Sequence, residues 1–210
     1  MNELKISSDI YIYPADTVWG IGGNIFDPSV QPAIAKIKNT DDTKPLSILY
    51  SDLEELKIHF NFHFIKDWES FEKVMGMGVS LLVKNDYATS IFPQYFKNKY
   101  PFISFRLLTE QIYRDLRTEI GAPFFSTSLN LTGEAPILDE SSALKFKEQF
   151  APNARFVPQS KVQLKGQSSC IIKIEEDRWG KIQFQIIRDT PQSPKIIQSL
   201  QQLIESGEES

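Results

Sequence analysis

Short apolar runs bounded by turn residues alternate with stretches of helical periodicity from one end of this chain to the other. That alternation admits few folds beyond a mixed sheet with helices against it. Ile10 to Tyr13 reads as a strand, and residues 14–23 (PADTVWGIGG) as the loop after it. Asp27 and Pro28 look like an N-cap and first helical residue, with Ala33, Ile34 and Ile37 as the apolar face. Leu46 to Tyr50 is a strand, and Ser51 with Glu54 has capping-box spacing for a following helix. Trp68–Met75 is helical, Val79–Val83 and Phe102–Leu108 are strands, and Thr109–Ile120 is a helix that Gly121 ends. Phe124 and Phe125 lead a strand into the polar run STSLNLTGEAP. Asp139–Phe150 is a helix, followed by strands at Arg155–Val157, Cys170–Ile174 and Ile182–Ile187 and a closing helix from Ser193-Pro194.

The net charge of −4 argues against a protein held on nucleic acid mainly by neutralising phosphates. Cys170 is the only cysteine, so neither a disulfide framework nor a cysteine zinc cluster is expected. No apolar run approaches the roughly 20 residues that span a bilayer. The opening residues do not read as a signal peptide, and the expected address is cytoplasmic. Phosphate-loop, dinucleotide and nucleophile-elbow motifs are absent. His59 and His63 lie in IHFNFHF, whose alternation puts Ile58, Phe60, Phe62 and Phe64 on one side. That spacing predicts two surface imidazoles beside a packed aromatic edge rather than a metal pair.

Two features remain that could hold a ligand. Residues 126–132 pack Ser and Thr hydroxyls around the amide of Asn130, a dense set of neutral donors and acceptors. Lys38, Lys44, Arg106 and Arg188 all lie beside predicted strand ends or loops. If they converge, they make a basic cavity suited to a triphosphate and a carboxylate.

In their order and spacing, separated segments resemble the YrdC/Sua5 family, the threonylcarbamoyl-AMP synthases of tRNA modification, in its short single-domain form. These are YPADTVWGIGG (13–23), KNTDDTKPLSIL (38–49), FSTSLNLTGEAP (125–136) and GQSSCIIKI through Arg188. The resemblance implies one YrdC-like α/β domain over residues 1–204, a twisted mixed sheet flanked by helices around a concave cavity. Residues 205–210 would be a disordered tail. It also implies a reaction of L-threonine, bicarbonate and ATP that gives threonylcarbamoyl-AMP and pyrophosphate, with Mg2+ on the triphosphate and no protein nucleophile. A tRNA-modification transferase complex would be the partner.

Carried over by position, Thr17, Arg106, Ser126 and Ser169 would bind threonine, with Arg106 on its carboxylate. Lys38, Lys44, Ser128, Asn130 and Arg188 would bind ATP. Departures from the family pattern are Ala15, Thr40 in place of the KxR arginine, Leu49 in place of a polar residue, and Gly76-Met77-Gly78 in place of PGP. The alternative is a YrdC-like protein that holds RNA or nucleotide without catalysis.

Overall fold

The computed structural model describes residues 10–43, 45–159 and 162–205. Lys44 and the end of the expected tail, 206–210, lie outside them. The described chain has nine strands and seven α-helices, the mixed α/β class expected from the alternation. It divides into two compact units, one made of the chain up to Leu46 with Arg117–Ser168, the other of Ser47–Leu116 with the chain from Ser169 on.

In the first unit β1 (Tyr11–Pro14) pairs antiparallel with β2 (Trp19–Asn24), Tyr13 opposite Gly20. The segment expected to be a loop is therefore mostly a strand. Its alternation is real, since Trp19 and Ile21 are fully buried, while glycine holds the other parity at Gly20 and Gly22. Those bare positions admit the Tyr13 ring, within 3.1 Å of where a Gly20 Cβ would stand. β6 (Phe124–Ser128) pairs antiparallel with β2, Ser126 opposite Gly22 and Ser128 opposite Gly20. The short β7 (Arg155–Phe156) runs parallel to β1 on its other edge.

Helix α1 (Val30–Ile37) starts later than the Asp27-Pro28 reading. The Asp27 carboxylate instead accepts from the Ser29 amide at 2.8 Å, closing a local turn before the helix. α1 ends in a Schellman turn, in which Asn39 takes φ 52° while its N–H donates to Lys36 O and that of Thr40 to Ala35 O. α6 (Glu140–Phe150) matches the expected helix but starts one residue later, because Asp139 is its cap and accepts from the Ser142 amide.

The second unit orders its strands β3 (Ser47–Tyr50), β5 (Phe102–Leu107), β4 (Val79–Lys84), β8 (Cys170–Glu176) and β9 (Ile182–Arg188). β3 with β5 and β4 with β8 are parallel; β4 with β5 and β8 with β9 are antiparallel. One face is apolar and fully buried at Ile48, Tyr50, Val79, Val83, Ile103, Phe105 and Ile172. Burying such side chains is worth about 1.5–3 kcal/mol each. α2 (Leu53–His59) is capped by Asp52, whose carboxylate accepts from the Glu54 and Glu55 amides, so Ser51 is not the cap. α3 (Trp68–Met75) packs on α7 (Ser193–Glu205). α4 (Gln94–Lys99) follows Pro93, and α5 (Gln111–Ile120) carries the boundary between the units.

Candidate functional site

In the first unit the C-terminus of α1 aims Lys38 at the turn that follows β6. Its ammonium donates to Ser128 O, to Asn130 O at 2.7 Å and to Asn130 Oδ1 at 3.2 Å. Thr132 N returns a bond to Lys38 O at 3.0 Å. Ser128 Oγ donates to Asn130 Oδ1 at 2.6 Å, and the Asn130 amide nitrogen donates to Leu131 O and Glu134 O at 2.8 and 2.9 Å. Burial pushes the Lys38 ammonium down to about 8. Lys38, Ser128 and Asn130, expected together from the sequence, are thus one bonded cluster.

Thr17 is buried in the β1–β2 loop, where its carbonyl accepts from Gly166 N at 2.9 Å. Its neighbour Asp16 is buried, 3.5 Å from the Lys165 ammonium. Ser126 is half-buried on β6, opposite Gly22. Thr40 is exposed and lines a cavity of about 410 Å³ with Lys36, Asn39 and Asp42. Ala15 is buried and opens the turn closed by its N–H on Val18 O.

In the second unit the other sheet face mixes polar residues with Leu49, Leu82 and Ile171. Leu49 sits opposite Arg106, Leu82 opposite Ser104, and Ile171 opposite both Ser80 and Arg188. By the two-residue period of a strand, Ser47, Ser104, Arg106, Ser80 and Arg188 share this face. Ser47 and Ser104 hydroxyls are 2.7 Å apart, and those of Ser80 and Ser169 are 2.8 Å apart. Arg188 donates from Nε to Ser169 O at 2.7 Å and from Nη2 to Ser169 Oγ at 3.0 Å. Burial, followed by the positive charge of Arg106, lowers the Arg188 guanidinium from its ordinary value. Arg106, buried, and Arg188, exposed, lie on one face in a single cross-strand row, and two guanidiniums so placed favour an anion set against both. The structure therefore brings Arg106, Ser169 and Arg188 together.

Ser47, Ser80 and Ser104 were missed by sequence reasoning. Each is the polar residue in an otherwise apolar strand (SIL, VSLLV, FISF), a signal that period-2 reading could have caught. Leu49 is fully buried beside Arg106. Gly76 caps α3, and Gly78, at φ 86°, turns the chain into β4 while its carbonyl accepts from Cys170 N. His59 is not a surface imidazole; it is buried at the end of α2 with Nδ1 2.8 Å from Tyr50 Oη. Ile58 turns outward, whereas Phe60, Phe62 and Phe64 pack as expected. Among the described residues no group of three or more His, Cys, Asp or Glu is placed to hold a metal ion.

Residues 7–189 match the Sua5/YciO/YrdC family model, described as "Telomere recombination". The chain belongs to the Sua5/YciO/YrdC family. Within the family, it is 29% identical over 130 residues to the threonylcarbamoyl-AMP synthase of Actinobacillus pleuropneumoniae serotype 5b, covering 60% of this chain and 68% of that one. The Cellvibrio japonicus enzyme of the same name is 22% identical over 127 residues, covering 60% of this chain and 66% of that one. Among solved structures E. coli YciO superimposes with a TM-score of 0.64 at 19% identity, over 89% of this chain and 86% of that one. P. abyssi Sua5 complexed with L-threonine superimposes at 0.61 and 17% identity, over 80% of this chain. This chain spans about half of that Sua5, 48% of its length. Such identities establish the shared fold. Among the described residues no helix is long and apolar enough to cross a membrane.

Proposed function

We propose that this protein is an L-threonylcarbamoyladenylate synthase, a nucleotidyltransferase that forms threonylcarbamoyl-AMP and pyrophosphate for tRNA modification. The observation that carries this reading is that Arg106, buried, and Arg188, exposed, stand on one serine-lined sheet face. Such a face suits carboxylate and phosphate oxygens, which guanidinium forks bind with charge-assisted bonds. Threonine carbamate, from threonine and bicarbonate, would attack the α-phosphorus of ATP. The carbamate oxygen–phosphorus bond forms, the bond to the β-phosphate bridging oxygen breaks, and pyrophosphate leaves with that electron pair.

Catalysis on this reading comes from holding two anionic reactants together and from fixed cations opposite the charge that develops on phosphate. The family resemblance assigns Arg106 to the threonine carboxylate and gives Thr17, Ser126 and Ser169 as its other threonine-binding residues. Arg188, Lys38, Ser128, Asn130 and Lys44 serve the nucleotide. The donor set in both clusters is hydroxyl, amide and cation, which suits a Mg2+ carried by the triphosphate oxygens rather than by carboxylates. When bound, that ion would neutralise charge on the leaving group. A cytoplasmic setting and delivery of the adenylate to a tRNA-modifying transferase belong to the same proposal.

One observation favours a second reading, nucleotide binding without adenylate formation. Thr40 stands exposed where a guanidinium is expected, which removes one fixed charge from the phosphates. Pyrophosphate release from ATP, with threonine and bicarbonate omitted in turn, separates the two. Release that requires both substrates supports the synthase. ATP binding without release supports the second reading.

A further inference from the structure

We propose that Lys38 is a positioning residue, whose ammonium shapes the Ser128–Asn130 turn and acts on a nucleotide through that turn rather than by touching phosphate. An ammonium has three protons and no lone pair. The three acceptors that Lys38 reaches, Ser128 O, Asn130 O and Asn130 Oδ1, take all of them. A phosphate oxygen arriving at Nζ would have to displace one of these bonds.

The rest of the turn is built on the same arrangement. Asn130 is fixed in orientation because its nitrogen donates to Leu131 O and Glu134 O, which turns Oδ1 toward Lys38 and Ser128. Ser128 spends its one proton on that Oδ1. What Ser128 then offers outward is lone pairs. Lone pairs repel phosphate oxygens and accept from a ribose hydroxyl or an amino group of a base. The second anchor is the main-chain bond from Thr132 N to Lys38 O, which ties the far end of the turn to α1. Lys38 is buried, so the ammonium enters a low-dielectric site where such bonds are strong.

Which part of a nucleotide the turn meets rests on the synthase reading; the shape of the turn does not. The experiment therefore has two arms. In the ligand-free protein, amide exchange across 129–134 is compared between wild type, Lys38→Met and Lys38→Arg. Loss of the ammonium bonds should speed exchange there by about tenfold or more in Lys38→Met, with β5 and β8 unchanged. Unchanged exchange in a folded Lys38→Met overturns the proposal.

In the second arm ATP, ADP and AMP affinities are measured by calorimetry. Both variants should weaken all of them by a similar factor. Arginine keeps the charge and binds phosphate well, but its planar fork cannot point three protons at three converging acceptors. A loss that grows with the number of phosphates, or full ATP affinity in Lys38→Arg, overturns the proposal in favour of a direct phosphate contact. If wild type binds no nucleotide, the synthase reading fails while the exchange arm still decides the role of Lys38. Should Lys38→Met not fold, Lys38→Arg carries both arms.

Discussion

Arg188 grips Ser169 at two points, Nε on its carbonyl at 2.7 Å and Nη2 on its hydroxyl at 3.0 Å. The arginine from β9 therefore sets the position of a serine from the preceding strand entry, and Ser169 passes that order to Ser80 through the 2.8 Å hydroxyl pair. Removing the fork should disturb both ligands, since Ser169 is expected on threonine and Arg188 on ATP. Arg188→Ala should raise KM for each by roughly ten- to a hundredfold, the worth of a charge-assisted bond. Arg188→Lys should recover little, because an ammonium cannot reproduce two parallel donors. An effect confined to ATP would show that Arg188 does not act through Ser169.

Arg106 and Ser128 should report on different ligands. Arg106→Ala is expected to weaken threonine use by about ten- to a hundredfold and ATP use less. Ser128→Ala should weaken ATP more than threonine, through the Asn130 Oδ1 bond it also loses. Steady-state KM values for both substrates in both variants check this, and equal losses throughout would count against the division.

Thr40→Arg places a guanidinium beside Asp42, which lines the same cavity. The carboxylate should capture it, so the single substitution is expected to leave ATP affinity within about threefold, as for an exposed ion pair. Thr40→Arg/Asp42→Asn frees the fork and should tighten ATP by up to about tenfold. Calorimetric ATP affinities decide it. Should the double variant match wild type, this segment does not approach the phosphates.

Lys38 gives a pH dependence whose sign follows from burial. Its folded value of about 8 lies below the ordinary 10.5, so the folded chain gives up this proton first. Between those values the unfolded chain binds more protons, and stability from this group rises with pH across that window and is flat below it. Denaturant midpoints at pH 7.5, 9 and 10 should show a rise in wild type that Lys38→Met lacks. Parallel curves would mean that Lys38 keeps an ordinary affinity for its proton.

Gly22→Ala tests the close approach within the first sheet. A Cβ there would lie 1.7 Å from Phe125 O, a backbone atom held in the β2–β6 ladder. The strands must separate, and we expect a loss of about 3 kcal/mol or more by denaturant unfolding. A loss under about 1 kcal/mol would mean that the ladder yields easily.

Much of the fold was legible because its signals are local. The helices at Trp68–Met75, up to Ile120 and up to Phe150, and the strands at Val79 and Phe102, follow from side-chain period and stop residues within a few positions. β2 was not, because glycine carries no β preference of its own and GIGG reads as a loop until a tyrosine from β1 covers it. His59 failed for a similar reason. IHFNFHF alternates like a strand, but the helix runs to His59 and buries it on Tyr50.

The sequence by itself determined the family, the α/β class and the residue types that a ligand site could use, since motif order and periodicity are properties of the chain alone. Tertiary structure alone decided which of these residues share protons. Lys38 meets Ser128 and Asn130 across ninety and more residues of chain, and Arg188 meets Ser169 across nineteen. Hydrogen bonds act over about 3 Å, a range that only strand register and a helix end can set between residues so far apart in sequence.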